Sequence, residues 1–168
     1  MQKILVSACF LGEDVTYDGD SNLIDHEIMA RWTQEGRLVR VCPEMAGGLP
    51  QRRAAAYIVG PDGGEGVIDG SARVQTHKGA NDVTEEFLRG ANRALELVKQ
   101  HDIKIAIMKE RSPSCGSHQI YAGTFDGTKI PGNGVTAALL KRHGVTVFSE
   151  GQLVEAAAFL ATLEGKTG

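Results

Sequence analysis

The sequence predicts an α/β fold: a single-domain, Rossmann-like open parallel sheet of about four strands, with helices on both faces and small β-hairpin excursions. Three observations carry that expectation. Short apolar runs rich in β-branched residues recur along the chain, and segments with helical spacing of apolar residues separate them. Many of the 21 glycines gather in turn-rich stretches between the regular elements. Alternation of strand and helix is what a parallel sheet demands, because parallel neighbours are joined by a crossover that is usually helical.

"KILVSA" (3–8) has the length and composition of a strand and ends at Cys9. Asp25 is placed to cap a helix carrying Ile28, Met29 and Trp32 on one face, which Gly36 closes in a left-handed conformation. "RLVRVC" (37–42) resumes the strand pattern and stops at Pro43, which offers no ladder donor and restricts the residue before it. The glycine-rich stretch 57–74 reads as a hairpin excursion rather than a core element. Asp82 and Glu85 stand at capping-box spacing ahead of a long helix with Phe87, Leu88, Ala91, Leu95 and Val98 on its apolar face. "IKIAIM" (103–108) is a third strand, and "QIYAGTFDGTKI" (119–130) a second small hairpin turning at Asp126-Gly127. A helix near 135–142 and the strand "VTVF" (145–148) follow. Ser149 and Gln152 repeat the capping-box spacing before a terminal helix through Ala156, Leu160 and Leu163. A length of 168 residues suits one domain, 1–168, with a full core.

Composition narrows the function. A net charge of −3 gives no broad attraction to phosphate backbones, so no long nucleic acid is expected and a small ligand fits better. The first ten residues lack an apolar region of signal-peptide length, and no run approaches the roughly 18 apolar residues of a membrane span. A cytoplasmic protein with no membrane partner is expected. Three cysteines, an odd number, argue against a disulfide framework and for metal binding or nucleophilic chemistry.

Cys9, Cys42 and Cys115 each fall beyond the C-terminal end of an expected strand. In an open parallel sheet those ends share one edge, where ligands bind, so residues far apart in sequence meet there. Cys115 sits in "KERSPSCGSH" (109–118), a loop of small polar residues poorly suited to core packing. Buried free cysteine is nonetheless a common core residue, and the wide separation gives no local metal motif. Gathered in one place, three thiolates hold an iron–sulfur cluster or a zinc ion with an open position, and sulfur donors alone do not choose between them. A zinc-dependent hydrolase or deaminase and a non-enzymatic thiol redox sensor are the competing readings. "GNGVTA" (132–137) matches G-x-G-x-x-A at a helix start, a nucleotide-binding signal weakened by the short, proline-interrupted segment before it, although the helix N-terminus offers a seat for an anionic group. Asp18 in "YDG" reads as a turn residue, Arg52-Arg53 as a solvated face, and the five histidines show no paired ligand spacing.

"VSAC" with "YDG", "VCPE" with "GGLP", then "KERSPSCG" and "PGNGVTAALL" together closely resemble the thiouracil desulfurase family over residues 3–150. The resemblance implies a [4Fe-4S] cluster on Cys9, Cys42 and Cys115 with one iron not ligated by protein. It implies that the thiocarbonyl sulfur of a thiolated base, nucleoside or nucleotide binds that iron, water attacks the carbon, and sulfur leaves as hydrosulfide without redox change. Beside that chemistry, Glu44 is the expected proton-transfer residue, being two positions after Cys42. Ser112 and Ser114 are expected to orient the heterocycle or water by hydrogen bonding, and a loop-stabilising role is the plainer reading of both. Lys109 and Arg111 offer charge near the same loop, with solvation as their default.

Overall fold

The computed structural model describes residues 1–14, 16–19, 22–76 and 80–165. Strand β1 (Ile4–Ser7) lies inside a four-stranded parallel sheet of order β2-β1-β5-β8, beside β2 (Leu38–Val41), β5 (Ile105–Ile107) and β8 (Thr146–Phe148). Being covered on both faces, β1 is apolar throughout: Ile4, Leu5 and Val6 are fully buried. Each such side chain contributes about 1.5–3 kcal/mol.

Side-chain alternation splits the core in two. Leu5 and Ala106 face α4 (Thr84–His101) and α5 (Val135–Arg142), meeting Ala94, Leu95, Val98, Ala137 and Leu140. Ile4, Val6, Ile105 and Ile107 face α1 (Glu27–Gln34) and α6 (Leu153–Leu163), against Met29, Trp32, Ala156 and Leu160. The expected sandwich of helices on both faces is therefore present. The chain runs from β1 to β2 on one side and returns to β5 on the other, so the strand order reverses between β1 and β5.

Two antiparallel pairs stand apart from this sheet: β3 (Ala56–Val59) with β4 (Arg73–Thr76), and β6 (Gln119–Tyr121) with β7 (Lys129–Pro131). The first was expected as a simple hairpin, yet it carries helix α3 (Gly63–Asp69) between its strands, buried against α5 through Gly64. Helix α2 (Pro43–Ala46) was also not expected; Cys42 is its N-cap and Pro43 occupies its first turn.

Two helix starts differ from expectation. Asp25 does not cap α1: His26 does, its Nδ1 accepting from the Ile28 amide at 3.0 Å. Asp82 and Glu85 form no capping box, because Val83 is the N-cap of α4 while Asp82 accepts from the Thr84 amide at 3.0 Å and holds Arg73 at 2.9 Å. The Ser149–Gln152 box forms as expected and opens a 3-10 turn that leads into α6. Gly36 takes a φ of 69°, closing α1 as anticipated. No described helix is long and apolar enough to cross a membrane.

Candidate active site

All three cysteines line one cavity of about 500 Å³ at the C-terminal edge of the sheet, over the strand-order reversal. Cys9 follows β1 in a 3-10 turn (Ala8–Leu11), and its carbonyl accepts from the Asn22 amide at 3.0 Å. Cys42 leaves β2 and starts α2. Cys115 lies in the loop after β5. Cys9 and Cys115 are both buried and join apolar clusters on opposite faces of the sheet, so the core-packing reading of these residues is half right; each also borders the cavity.

The Cys115 loop is over-determined by hydrogen bonds. Ser112 Oγ accepts from the amides of Ser114 and Cys115, both at 3.1 Å, an ST-type turn that sets the backbone carrying the thiol. The amides of Gly134, Val135 and Thr136 donate to the carbonyls of Gly116, Pro113 and Ser114 at 2.7–2.8 Å. The N-terminus of α5 is thereby spent on the loop, which removes the seat that "GNGVTA" offered to a nucleotide or anion. Gly134 is required by contact: a Cβ there lies 2.4 Å from the Ser114 carbonyl carbon and 2.8 Å from the Cys115 nitrogen.

A second organiser of this loop was not anticipated. Glu110 Oε1 accepts from the amides of Arg111, Ser117, His118 and Gln119 at 3.0–3.2 Å, and Oε2 meets His118 Nδ1 at 2.9 Å. Burial opposes its charge, but the Gln119 and His118 amides outweigh that and bring the carboxyl down to about 2. Position 110 looks like any charged loop residue in the sequence; only the fold reveals that four amides converge on it.

The remaining candidates separate. Glu44 borders the cavity with 15 % of its side chain exposed, and Arg53 Nε donates to its Oε1 at 2.9 Å. Ser112 borders the cavity, whereas Ser114 is not among the lining residues; its hydroxyl meets Thr136 Oγ1 at 2.9 Å in the interior. Lys109 reaches the cavity and pairs with Glu150 at 2.9 Å. Arg53 corrects an expectation outright: its side chain is 6 % exposed instead of forming a solvated face. Asp18 lies at the cavity wall, bridged to Arg52 through the backbone, so it is more than a turn residue.

The two hairpins supply a wall that the sequence did not disclose. Tyr57 and Tyr121 border the cavity, their centroids 6.5 Å apart at 72°, and Phe125 abuts Tyr57 at 4.9 Å and 71°. These edge-to-face contacts fix flat apolar surfaces beside the sulfurs.

Burial raises all three thiols above their usual range. At Cys9 a hydrogen bond from Asn22 Nδ2, 3.5 Å from Sγ, opposes the rise, and the charge of Cys42 adds to it. At Cys42 the Met45 amide opposes it and Glu44 adds to it. Cys115, the most deeply placed, is pushed furthest, with Cys42 and Cys9 both contributing. The thiols thus sense one another's charge across the cavity. Among the described residues, however, no three His, Cys, Asp or Glu side chains are grouped to hold a single metal ion. Three soft thiol donors lining one cavity match the donor set of an iron–sulfur cluster.

Comparison with known proteins agrees. The family model described as 2-thiouracil desulfurase matches residues 4–152. Protein YbbK of Bacillus subtilis (strain 168), described as uncharacterized, is 44 % identical over 150 residues, spanning 89 % of this chain and 97 % of that protein. The solved structure of the [4Fe-4S]-dependent thiouracil desulfidase TudS matches with a TM-score of 0.88 at 46 % identity, over 96 % of this chain and 99 % of its own.

Proposed function

The chain belongs to the 2-thiouracil desulfurase family, and from that premise we propose that it is a [4Fe-4S]-dependent enzyme replacing the thiocarbonyl sulfur of a thiolated pyrimidine, such as 2-thiouracil, by oxygen from water. The observation that carries this reading is the convergence of Cys9, Cys42 and Cys115, from three separate strand ends, on one cavity with an aromatic wall.

In this reading Cys9, Cys42 and Cys115 would hold the cluster, which would supply a thiophilic Lewis acid for the thiocarbonyl sulfur. The chain's own residues do the rest. Tyr57 and Tyr121 receive the flat ring of the base, a shape that stacks on or abuts aromatic faces. Glu44 borders the same cavity as the sulfurs and takes a proton from the attacking water. Water's oxygen becomes the carbonyl oxygen, its two protons depart with the sulfur as hydrogen sulfide, and the oxidation level of the carbon does not change. Ser112 and Ser114 act as positioning residues, the first through the Cys115 amide and the second through Thr136. Lys109 contributes positive charge near Cys9, favouring its thiolate.

The test is anaerobic reconstitution of the full chain, analysis of iron and acid-labile sulfide, and a sulfide-release assay with 2-thiouracil. Multiple turnovers by brown, iron-loaded protein, abolished in Cys115→Ala, support the reading. Full iron loading with no sulfide released from thiolated pyrimidines overturns it, as does stoichiometric zinc in colourless protein that accepts no iron.

A further inference from the structure

Arg53 is among the least exposed charged side chains of the molecule, and it faces the candidate site from the segment after α2. Its Nε donates to Glu44 Oε1 at 2.9 Å, and its Nη2 lies 3.9 Å from Cys42 Sγ. Its Nη1 is anchored by the carbonyls of Pro50 and Gln51, both at 3.0 Å. Its own amide donates to the Tyr17 carbonyl at 2.8 Å, tying it to the strip that forms the neighbouring wall. One planar fork thus touches a carboxylate and a cavity sulfur while its far arm is fixed to backbone. A lysine has neither the fork nor the separate arms.

We propose that Arg53 is a positioning residue that couples Glu44 to Cys42, holding the carboxylate in one orientation over the cavity while donating to the ligand sulfur. The inference rests on the function proposed above. Its physical basis is the general behaviour of groups outside a metal's ligand set: a donor to a ligating sulfur withdraws electron density from the metal, and a donor to the neighbouring base fixes its geometry. Cys9 receives a contact from Asn22, a neutral amide, whereas the donor at Cys42, two residues before Glu44, is a guanidinium. The same guanidinium that is anchored to the Pro50 and Gln51 carbonyls also meets Glu44 and Cys42 at the site.

The test uses the full chain, reconstituted anaerobically, as wild type, Arg53→Lys, Glu44→Gln and the double variant. Arg53→Lys is expected to keep iron and sulfide content within about twofold while kcat falls about 10–100-fold and KM changes less than about threefold. The cluster's reduction potential is expected to fall, since a sulfur donor is lost. In the Glu44→Gln background the same Arg53→Lys change is expected to cost less than about threefold in kcat, because its partner is already gone. Wild-type kcat and potential in Arg53→Lys overturn the proposal, and so does a kcat loss that persists undiminished beside Glu44→Gln. A folded Arg53→Lys protein that no longer holds iron also overturns it, assigning Arg53 to the loop alone. If Arg53→Lys does not fold, nitrogen-15 NMR of the apo protein decides: a dispersed, exchange-protected Arg53 Nε–H in wild type that collapses in Glu44→Gln supports the coupling, and an unchanged signal refutes it. Failure of wild type to release sulfide would strike the functional reading, while the NMR arm would still report on the contact itself.

Discussion

At the residue scale the site depends on two carboxylates with opposite duties. Glu44 borders the cavity and is proposed to move a proton, so Glu44→Gln is expected to lower kcat for sulfide release by about 10²–10⁴-fold while iron content stays at the wild-type level. Glu110 is favoured in its charged form, since four backbone amides donate to one of its oxygens. Its pKa falls from 4.5 to about 2 on folding, so its stabilisation is fully present above about pH 4.5 and is lost as pH drops through about 2. His118 Nδ1 meets the carboxylate at 2.9 Å, and Lys141 lies near enough to interact with its charge. Acid titration of the apo protein, followed by circular dichroism, is expected to show a steeper loss of stability between pH 4.5 and 2 in wild type than in Glu110→Gln. The three cysteines were legible in the sequence because chemistry-bearing residues past strand ends follow a rule of topology. Arg53 and Glu110 were not, because a buried arginine and a loop-organising glutamate look the same in sequence as their solvated counterparts.

At the scale of elements, the four parallel strands and four long helices were legible because each carries its own periodicity. Helices α2 and α3 were not. A helix of four residues is too short to show a period, and α3 begins "GGEG", a run with poor intrinsic helix propensity that tertiary contact overrides. Close backbone contact explains those glycines and predicts what happens when it is blocked. A Cβ on Gly90 of α4 lies 1.8 Å from the Pro43 carbonyl oxygen of α2. Alanine improves helix propensity by about 1 kcal/mol, yet a clash against backbone at that distance forces α2 away and carries Cys42 and Glu44 with it. Gly90→Ala is therefore expected to keep the far-ultraviolet helical signal while iron binding and sulfide release fall. Gly134→Ala drives a methyl group into the Ser114–Cys115 peptide and is expected to cost at least about 1–3 kcal/mol in urea unfolding of the apo protein.

At the scale of the whole molecule, the sheet gathers three cysteines from segments that the crossovers keep far apart in sequence. A cofactor bound only by the folded state adds stability by mass action, about 2.7 kcal/mol when its free concentration is a hundredfold above its dissociation constant. Anaerobic calorimetry is expected to show a higher Tm for the loaded protein than for the apo form. That increment should vanish on chelation and be absent in Cys9→Ala, Cys42→Ala or Cys115→Ala. The crossing of the chain between β1 and β5 has a further bearing on biogenesis. The first thiol leaves the ribosome long before the last, and the two face each other only once β5 has docked beside β1. A cluster held by all three cysteines, as proposed, therefore has its full protein ligand set only once the sheet has folded.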